Sequence, residues 1–72
     1  MNKPVKLRST EVEGCTVSSI RNVFPEGSYT ETRIFTNGVD LDGLPDQTEV
    51  DTSIEWEVNH DLAIQMVLDI LT

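Results

Sequence analysis

The sequence of 72 residues has no lysine or arginine after Arg33. Its first 33 residues carry five basic and four acidic side chains, a formal charge of +1, whereas the remainder carries nine acidic side chains and a charge of −9. An uncompensated field of this sign repels nucleic acid and anionic membranes, and it speeds encounters with basic partners. We therefore expect a basic protein surface as the partner, with no direct binding to nucleic acid or membrane.

Cysteine and long apolar runs are also scarce. Cys15 is the only cysteine, which excludes an intrachain disulfide and suits a reducing compartment. No stretch approaches the roughly 18 apolar residues of a membrane span, and the N-terminus lacks the apolar segment of a secretion signal. These absences predict a cytoplasmic protein, in the host cytoplasm if the source is a virus. A domain of this size buries only about 60% of its unfolded surface, so we expect a second subunit to stabilise it.

Residues for catalysis are few. The chain has one histidine and one cysteine, and the neighbouring His60 and Asp61 do not face each other on a helix. A nucleophile such as Cys15 needs an oriented base and an oxyanion site, and the pattern indicates neither. We therefore expect no enzymatic activity, no catalytic residue and no cofactor.

The first half of the chain predicts strands. Residues 1–10 combine Pro4 with three basic side chains, which is typical of a basic N-terminal arm or a short edge strand; residues 11–72 form the single domain. The run from Glu11 to Phe24 is rich in Val, Ile, Thr and Ser and favours a strand, although helical spacing leaves a helix open for residues 16–24. A turn at residues 25–27 precedes a second strand over residues 28–36.

Asn37-Gly38 has the composition of a tight hairpin turn with two positive φ angles. A second loop follows at residues 42–47. Several carboxylates from this region match an EF-hand register, but the first ligand position is Gly38 and the preceding segment is predicted as strand. We therefore expect no metal site.

Residues 49–58 alternate in polarity, and this period of two predicts a strand with one buried face and one wet face. One side carries Val50, Thr52, Ile54, Trp56 and Val58, and the other carries Glu49, Asp51, Ser53, Glu55 and Glu57. Trp56 is then a core residue, and four carboxylates follow one another at about 6.7 Å. The predicted partner-binding residues are Glu49, Asp51, Glu55 and Glu57, followed by Asp40, Asp42 and Asp46.

Asn59 is a predicted N-cap for a helix over residues 60–72, with Asp61 in its first turn. At about 100° per residue, the apolar side chains cover roughly 240° of the circumference. This is wider than one sheet can cover, so we expect a symmetric copy of the helix on the spare side. The predicted dimer interface comprises Leu62, Ile64, Met66, Val67, Leu68, Ile70 and Leu71.

The elements together predict an α+β fold, a three- or four-stranded antiparallel sheet with one C-terminal helix packed on it. The predicted function is a non-enzymatic acidic protein that docks on a basic, nucleic-acid-binding surface of a partner and blocks it. In size, charge and lack of chemistry the chain resembles, as a class, the small nucleic-acid-mimicking inhibitors that phages and mobile elements use against host defence, including restriction and CRISPR effectors. Two alternatives remain: a homodimeric binder of a small, nucleotide-like ligand, and an accessory subunit of a larger assembly.

Overall fold

The computed structural model describes residues 3–50 and 55–72 and confirms the α+β fold. Four antiparallel strands form one sheet in the order β1-β2-β3-β4, and a C-terminal helix packs on one of its faces. The elements are β1 (Lys3–Val12), β2 (Cys15–Phe24), β3 (Gly27–Phe35), β4 (Thr48–Val50) and α1 (Trp56–Leu71).

The long strands are joined by two-residue turns. Glu13 and Gly14, with φ angles of 50° and 86°, connect β1 to β2, as a tight right-twisted hairpin requires. Pro25 and Glu26 connect β2 to β3, where the turn was predicted. The segment left open between strand and helix is strand, since β2 pairs along its length with β3.

Residues 1–10 were predicted as a basic arm or a short edge strand, with the domain beginning at residue 11. The structure shows an edge strand, and its ten residues, Lys3–Val12, cross that boundary and pair with β2. A bulge at Leu7 shifts the register between Lys6 and Arg8. The basic residues of this segment therefore belong to the sheet.

The predicted turn at Asn37-Gly38 is present. Both residues have positive φ angles, 52° and 85°, and the backbone N–H of Val39 donates to the carbonyl oxygen of Thr36 at 2.9 Å. The returning strand, however, begins only at Thr48. A loop over residues 36–47 therefore separates β3 from β4.

The strand predicted for residues 49–58 is confirmed at Glu49 and Val50 and is wrong from Trp56 onward. Strand β4 ends at Val50, residues 51–54 lie outside the described residues, and α1 begins at Trp56. Asn59 is consequently not the N-cap; it lies one turn inside the helix, buried, and its backbone N–H donates to the carbonyl of Glu55 at 3.0 Å. The reason is packing, because a helix from Trp56 places His60, Ala63 and Val67 on one face against the sheet.

The core lies between α1 and one part of the sheet. Its fully or nearly buried apolar members are Val12, Cys15, Val17, Ile34, Leu41, Ala63 and Val67. The helix begins above Arg8 and Ser19, as contacts of Trp56 and His60 show, and its later residues Ala63 and Val67 share the core with Val12 and Cys15 beside the β1–β2 turn. We call the sheet beneath α1 the covered half.

The three long strands continue past the start of the helix in a molecule 41 Å long and 21 by 18 Å across. We call this continuation, residues 3–6, 21–24 and 27–30, the distal half. In the described part of the chain no element packs on its helix-side face, where alternation places Val5, Arg21 and Val23. On the opposite face the rings of Phe24 and Tyr29 stack, with their centres 5.7 Å apart.

Candidate partner-binding surface

The predicted row of four carboxylates is not formed. Glu49 lies in β4 opposite Arg33, Glu55 directly precedes α1, and Glu57 lies in its first turn. Asp51 falls outside the described residues. A row at strand spacing requires one continuous strand, and a helix begins after Glu55 instead, so these side chains lie on different elements.

The structure instead gathers acidic residues at one end of the molecule. The β1–β2 turn and the loop over residues 36–47 are joined there, because the side-chain amide of Asn37 donates to the Gly14 carbonyl at 3.2 Å and to the Thr16 hydroxyl at 2.9 Å. Leu41, with almost no exposed surface, anchors the loop in the core. We call this end the acidic tip, and its carboxylates are Glu11, Glu13, Asp40, Asp42 and Asp46.

Two of these carboxylates also hold the loop in shape. Asp46 Oδ1 accepts hydrogen bonds from the Thr36 backbone N–H at 2.8 Å and from the Gln47 N–H at 3.0 Å. Asp40 Oδ1 accepts from the Gly43 N–H at 3.0 Å. The loop is therefore preorganised, and the exposed side chains of Asp42 and Glu13 project from backbone with positive φ angles.

No basic side chain lies within the segments that build the acidic tip, residues 11–16 and 36–47. Arg33 is nearby, and its guanidinium donates to the Gln47 carbonyl at 3.0 Å and forms an ion pair with Glu31 at 3.1 Å. The Arg33 charge is thus shared with Glu31. The structure brings together Asp40, Asp42 and Asp46 of the predicted residues and adds Glu11 and Glu13, which the hairpin turn places beside them.

The outer face of α1 carries two neighbouring ridges of side chains spaced four residues apart. We call Val58, Leu62 and Met66 the apolar ridge; their side chains are 52%, 54% and 38% exposed. The acidic ridge is Glu57, Asp61 and Asp69, with Gln65 completing the spacing, and all four are exposed. Residues three apart on a helix are neighbours, so each ridge lies against the other.

The predicted dimer residues divide between the surface and the core. Leu62, Met66 and Leu71 are exposed, and Ile64, Leu68 and Ile70 are partly buried against the core. Val67 has no exposed surface within the single chain, because it faces the sheet. It is therefore unavailable for a contact between copies.

His60 lies at the centre of a buried polar network that the sequence interpretation did not identify. Ser19 Oγ is 2.7 Å from His60 Nδ1 and 2.7 Å from the Thr32 hydroxyl, and Thr10 Oγ1 is 2.8 Å from His60 Nε2. Burial, assisted by the Arg8 charge and opposed by Asp61, lowers the pKa of His60. A neutral imidazole suits this site because one ring nitrogen donates while the other accepts.

The network sits beneath the helix and away from solvent, since Ser19, Thr32 and His60 have no exposed surface. We interpret it as a device that sets how α1 sits on the sheet. The signal in the sequence is the four-residue spacing from Trp56 to His60, which places His60 on the buried face once the helix begins at Trp56.

Cys15 also lies in the core, and its burial, together with the Glu11 charge, raises the pKa of the thiol. Among residues 3–50 and 55–72, no three His, Cys, Asp or Glu side chains are placed to hold a metal ion. The same residues enclose no pocket, and they offer no observation in favour of the small-ligand alternative.

Comparison with known protein families, with curated proteins and with solved structures finds no match to this chain. Within the described residues, no helix combines the length and the apolar character needed to cross a membrane.

Proposed function

We propose that this protein is a small, non-enzymatic acidic protein that acts in the cytoplasm, docks through its acidic tip on a basic, nucleic-acid-binding surface of a partner protein, and blocks that surface. The observation that carries the proposal is the separation of charge along the molecule. Five exposed carboxylates lie on two joined segments that contain no lysine or arginine, whereas Lys3, Lys6 and Arg21 lie in the distal half.

Ordinary protein surfaces mix charges of both signs. A rigid surface of one sign favours association with a surface of the opposite sign, and it does so through both encounter rate and orientation. The hydrogen bonds of Asp46 and Asp40 hold the loop in place, so the cost of ordering it is not incurred on binding. Inhibitors from phages and mobile elements are the class of protein that we propose for this chain.

The test compares two variants with the same net charge. One variant, Glu13→Asn with Asp42→Asn, removes two carboxylates from the tip. Asparagine is chosen because it tolerates the positive φ angles at both positions. The matched control, Glu26→Gln with Glu55→Gln, removes two exposed carboxylates elsewhere. Wild type and both variants are immobilised and used to capture proteins from lysate of the source cells.

The proposal expects wild type and control to capture the same basic nucleic-acid-binding protein and the tip variant to lose it. Duplex DNA should compete with wild type for that protein, and raising the salt concentration should weaken the complex steeply. Equal capture by the tip variant and the control would disprove the role of the tip. If duplex DNA did not displace the captured protein, the proposed blocking of a nucleic-acid-binding surface would be disproved.

A further inference from the structure

Exposed apolar side chains lie on the helix side of the molecule at two places. The first is the apolar ridge of α1. The second is on the distal half, where Val5 and Val23 are 44% and 36% exposed and share the sheet face on which the helix lies. A group of exposed apolar side chains on the surface of a small domain commonly marks a contact with another molecule.

The charges beside these two places have opposite signs. Lys3 pairs with Val23 and Arg21 pairs with Val5 across β1 and β2, so both basic side chains share the face of the exposed valines. We call Lys3, Val5, Arg21 and Val23 the basic patch. The acidic ridge lies beside the apolar ridge, and α1 contains no basic residue.

The two places also match in shape and length. The helix forms a second layer on the covered half of the sheet. In the described part of the chain, nothing packs on the adjacent basic patch. The apolar ridge runs over nine residues from Val58 to Met66, eight helical steps or about 12 Å. Four residues of strand extend about 13 Å, so a helix from another molecule would lie along the distal half with its ridge on the valines.

We propose that the occupant of the basic patch is α1 of a second copy of this chain. In the resulting two-fold dimer each helix covers the distal half of the other copy, and Arg21 of each copy lies near Asp61 of the other. This arrangement is isologous, so it closes at two copies. It buries the apolar ridge and the basic patch together, and it leaves the acidic tips at the outside of the dimer.

Charge decides between this arrangement and a dimer made by helix against helix. If the apolar ridges of two copies faced each other, their acidic ridges would lie side by side. Residues 34–72 contain no lysine or arginine that could offset this repulsion. Like charges in close contact oppose association. A helix on the basic patch instead places each acidic ridge beside Lys3 and Arg21.

The proposal is tested by reversing one charge on each surface of the full-length chain. Sedimentation equilibrium should show wild type as a dimer. Arg21→Glu and Asp61→Lys should each raise the dimer dissociation constant by about tenfold or more, because each places like charges in both contacts. The matched controls, Lys6→Glu and Glu49→Lys, reverse charges on the opposite sheet face and should leave the constant unchanged.

Mixing the two variants distinguishes this dimer from any other. In a mixed pair, one contact retains Arg21 with Asp61 and the other joins Glu at position 21 to Lys at position 61. The mixture should therefore form a dimer as tight as wild type. A monomeric wild type would overturn the proposal, as would single variants that dimerise normally or a mixture that stays monomeric while circular dichroism shows both chains folded. None of these outcomes depends on the partner of the acidic tip.

Discussion

The covered half and the distal half of the sheet are built from the same three strands and differ in almost every other respect. Beneath α1, Cys15, Val17 and Ile34 have no exposed surface. Beyond the helix, the same strands expose Val5, Arg21 and Val23 on that face. The three strands therefore extend beyond the helix, whereas on this face the fully buried side chains lie only in the covered half.

The two ends of one sheet therefore differ in what they bury within a single chain. The covered half combines apolar packing with a polar network around His60, and both position the helix. The distal half has little to bury in a single copy and carries basic side chains. Changes in the covered half should act on folding, and changes in the distal half should act on association.

The largest expected effect comes from the apolar core. Ile34→Ala should lower the free energy of unfolding by about 2–5 kcal/mol, because it removes a fully buried side chain and leaves a cavity. Val23→Ala in the distal half should change it by about 0.5 kcal/mol or less in the monomer. Urea denaturation at low protein concentration measures both values. Similar losses for the two variants would remove the distinction between the halves.

The polar network should have the next largest effect. Ser19→Ala leaves His60 Nδ1 and the Thr32 hydroxyl without their shared partner, which should lower the free energy of unfolding by about 1–3 kcal/mol. Ser28→Ala, an exposed serine on the same sheet face, is the control and should have almost no effect. Denaturation curves for both variants test this, and equal stability of Ser19→Ala and wild type would show that the network is not stabilising.

Acidification should weaken the covered half through His60. Its pKa is lowered in the folded chain, so the unfolded chain, with an ordinary pKa of about 6.5, binds the proton first as the pH falls. The stabilisation is therefore complete above about pH 6.5 and decreases below it, towards the pKa of the folded chain.

Nuclear magnetic resonance can follow this titration without ambiguity, because His60 is the only histidine. The chemical shifts of its ring protons should titrate with a midpoint at a lower pH than those of free histidine. Urea denaturation between about pH 7.5 and 5.5 should show falling stability in wild type and a flatter response in His60→Asn. A His60 titration at or above the ordinary pKa would contradict the buried, neutral imidazole.

The smallest expected effect lies where the two halves meet. The Arg8 guanidinium carbon is 5.0 Å from the centre of the Trp56 ring, a cation–π contact at the start of α1. Arg8→Ala should lower the free energy of unfolding by about 0.5–1 kcal/mol and alter the fluorescence of the only tryptophan. Lys6→Ala, on the other sheet face, should alter neither, and an unchanged tryptophan spectrum in Arg8→Ala would show that the contact is absent in solution.

Local patterns predicted part of the first half of the chain. The turn residues at 25–27 and 37–38 and the β-branched composition of residues 15–24 have strong backbone preferences, and the structure contains the corresponding turns and strand. The single strand predicted from Glu11 to Phe24 is instead divided by a turn at Glu13 and Gly14. The prediction failed at residues 55–58, where alternating polarity is compatible with a strand and also with the first turn of a helix. The carboxylate row failed with it, because its geometry depended on that strand.

By itself, the amino-acid sequence determined the fold class, the strands over residues 15–24 and 27–35, and the concentration of negative charge after Arg33. These properties follow from composition and from preferences that act over a few residues. Only the tertiary structure decided where α1 begins, that His60 is buried beside Ser19, and that the loop after β3 meets the β1–β2 turn in an acidic tip. Those outcomes depend on contacts between residues distant in sequence, whose burial outweighs the local pattern.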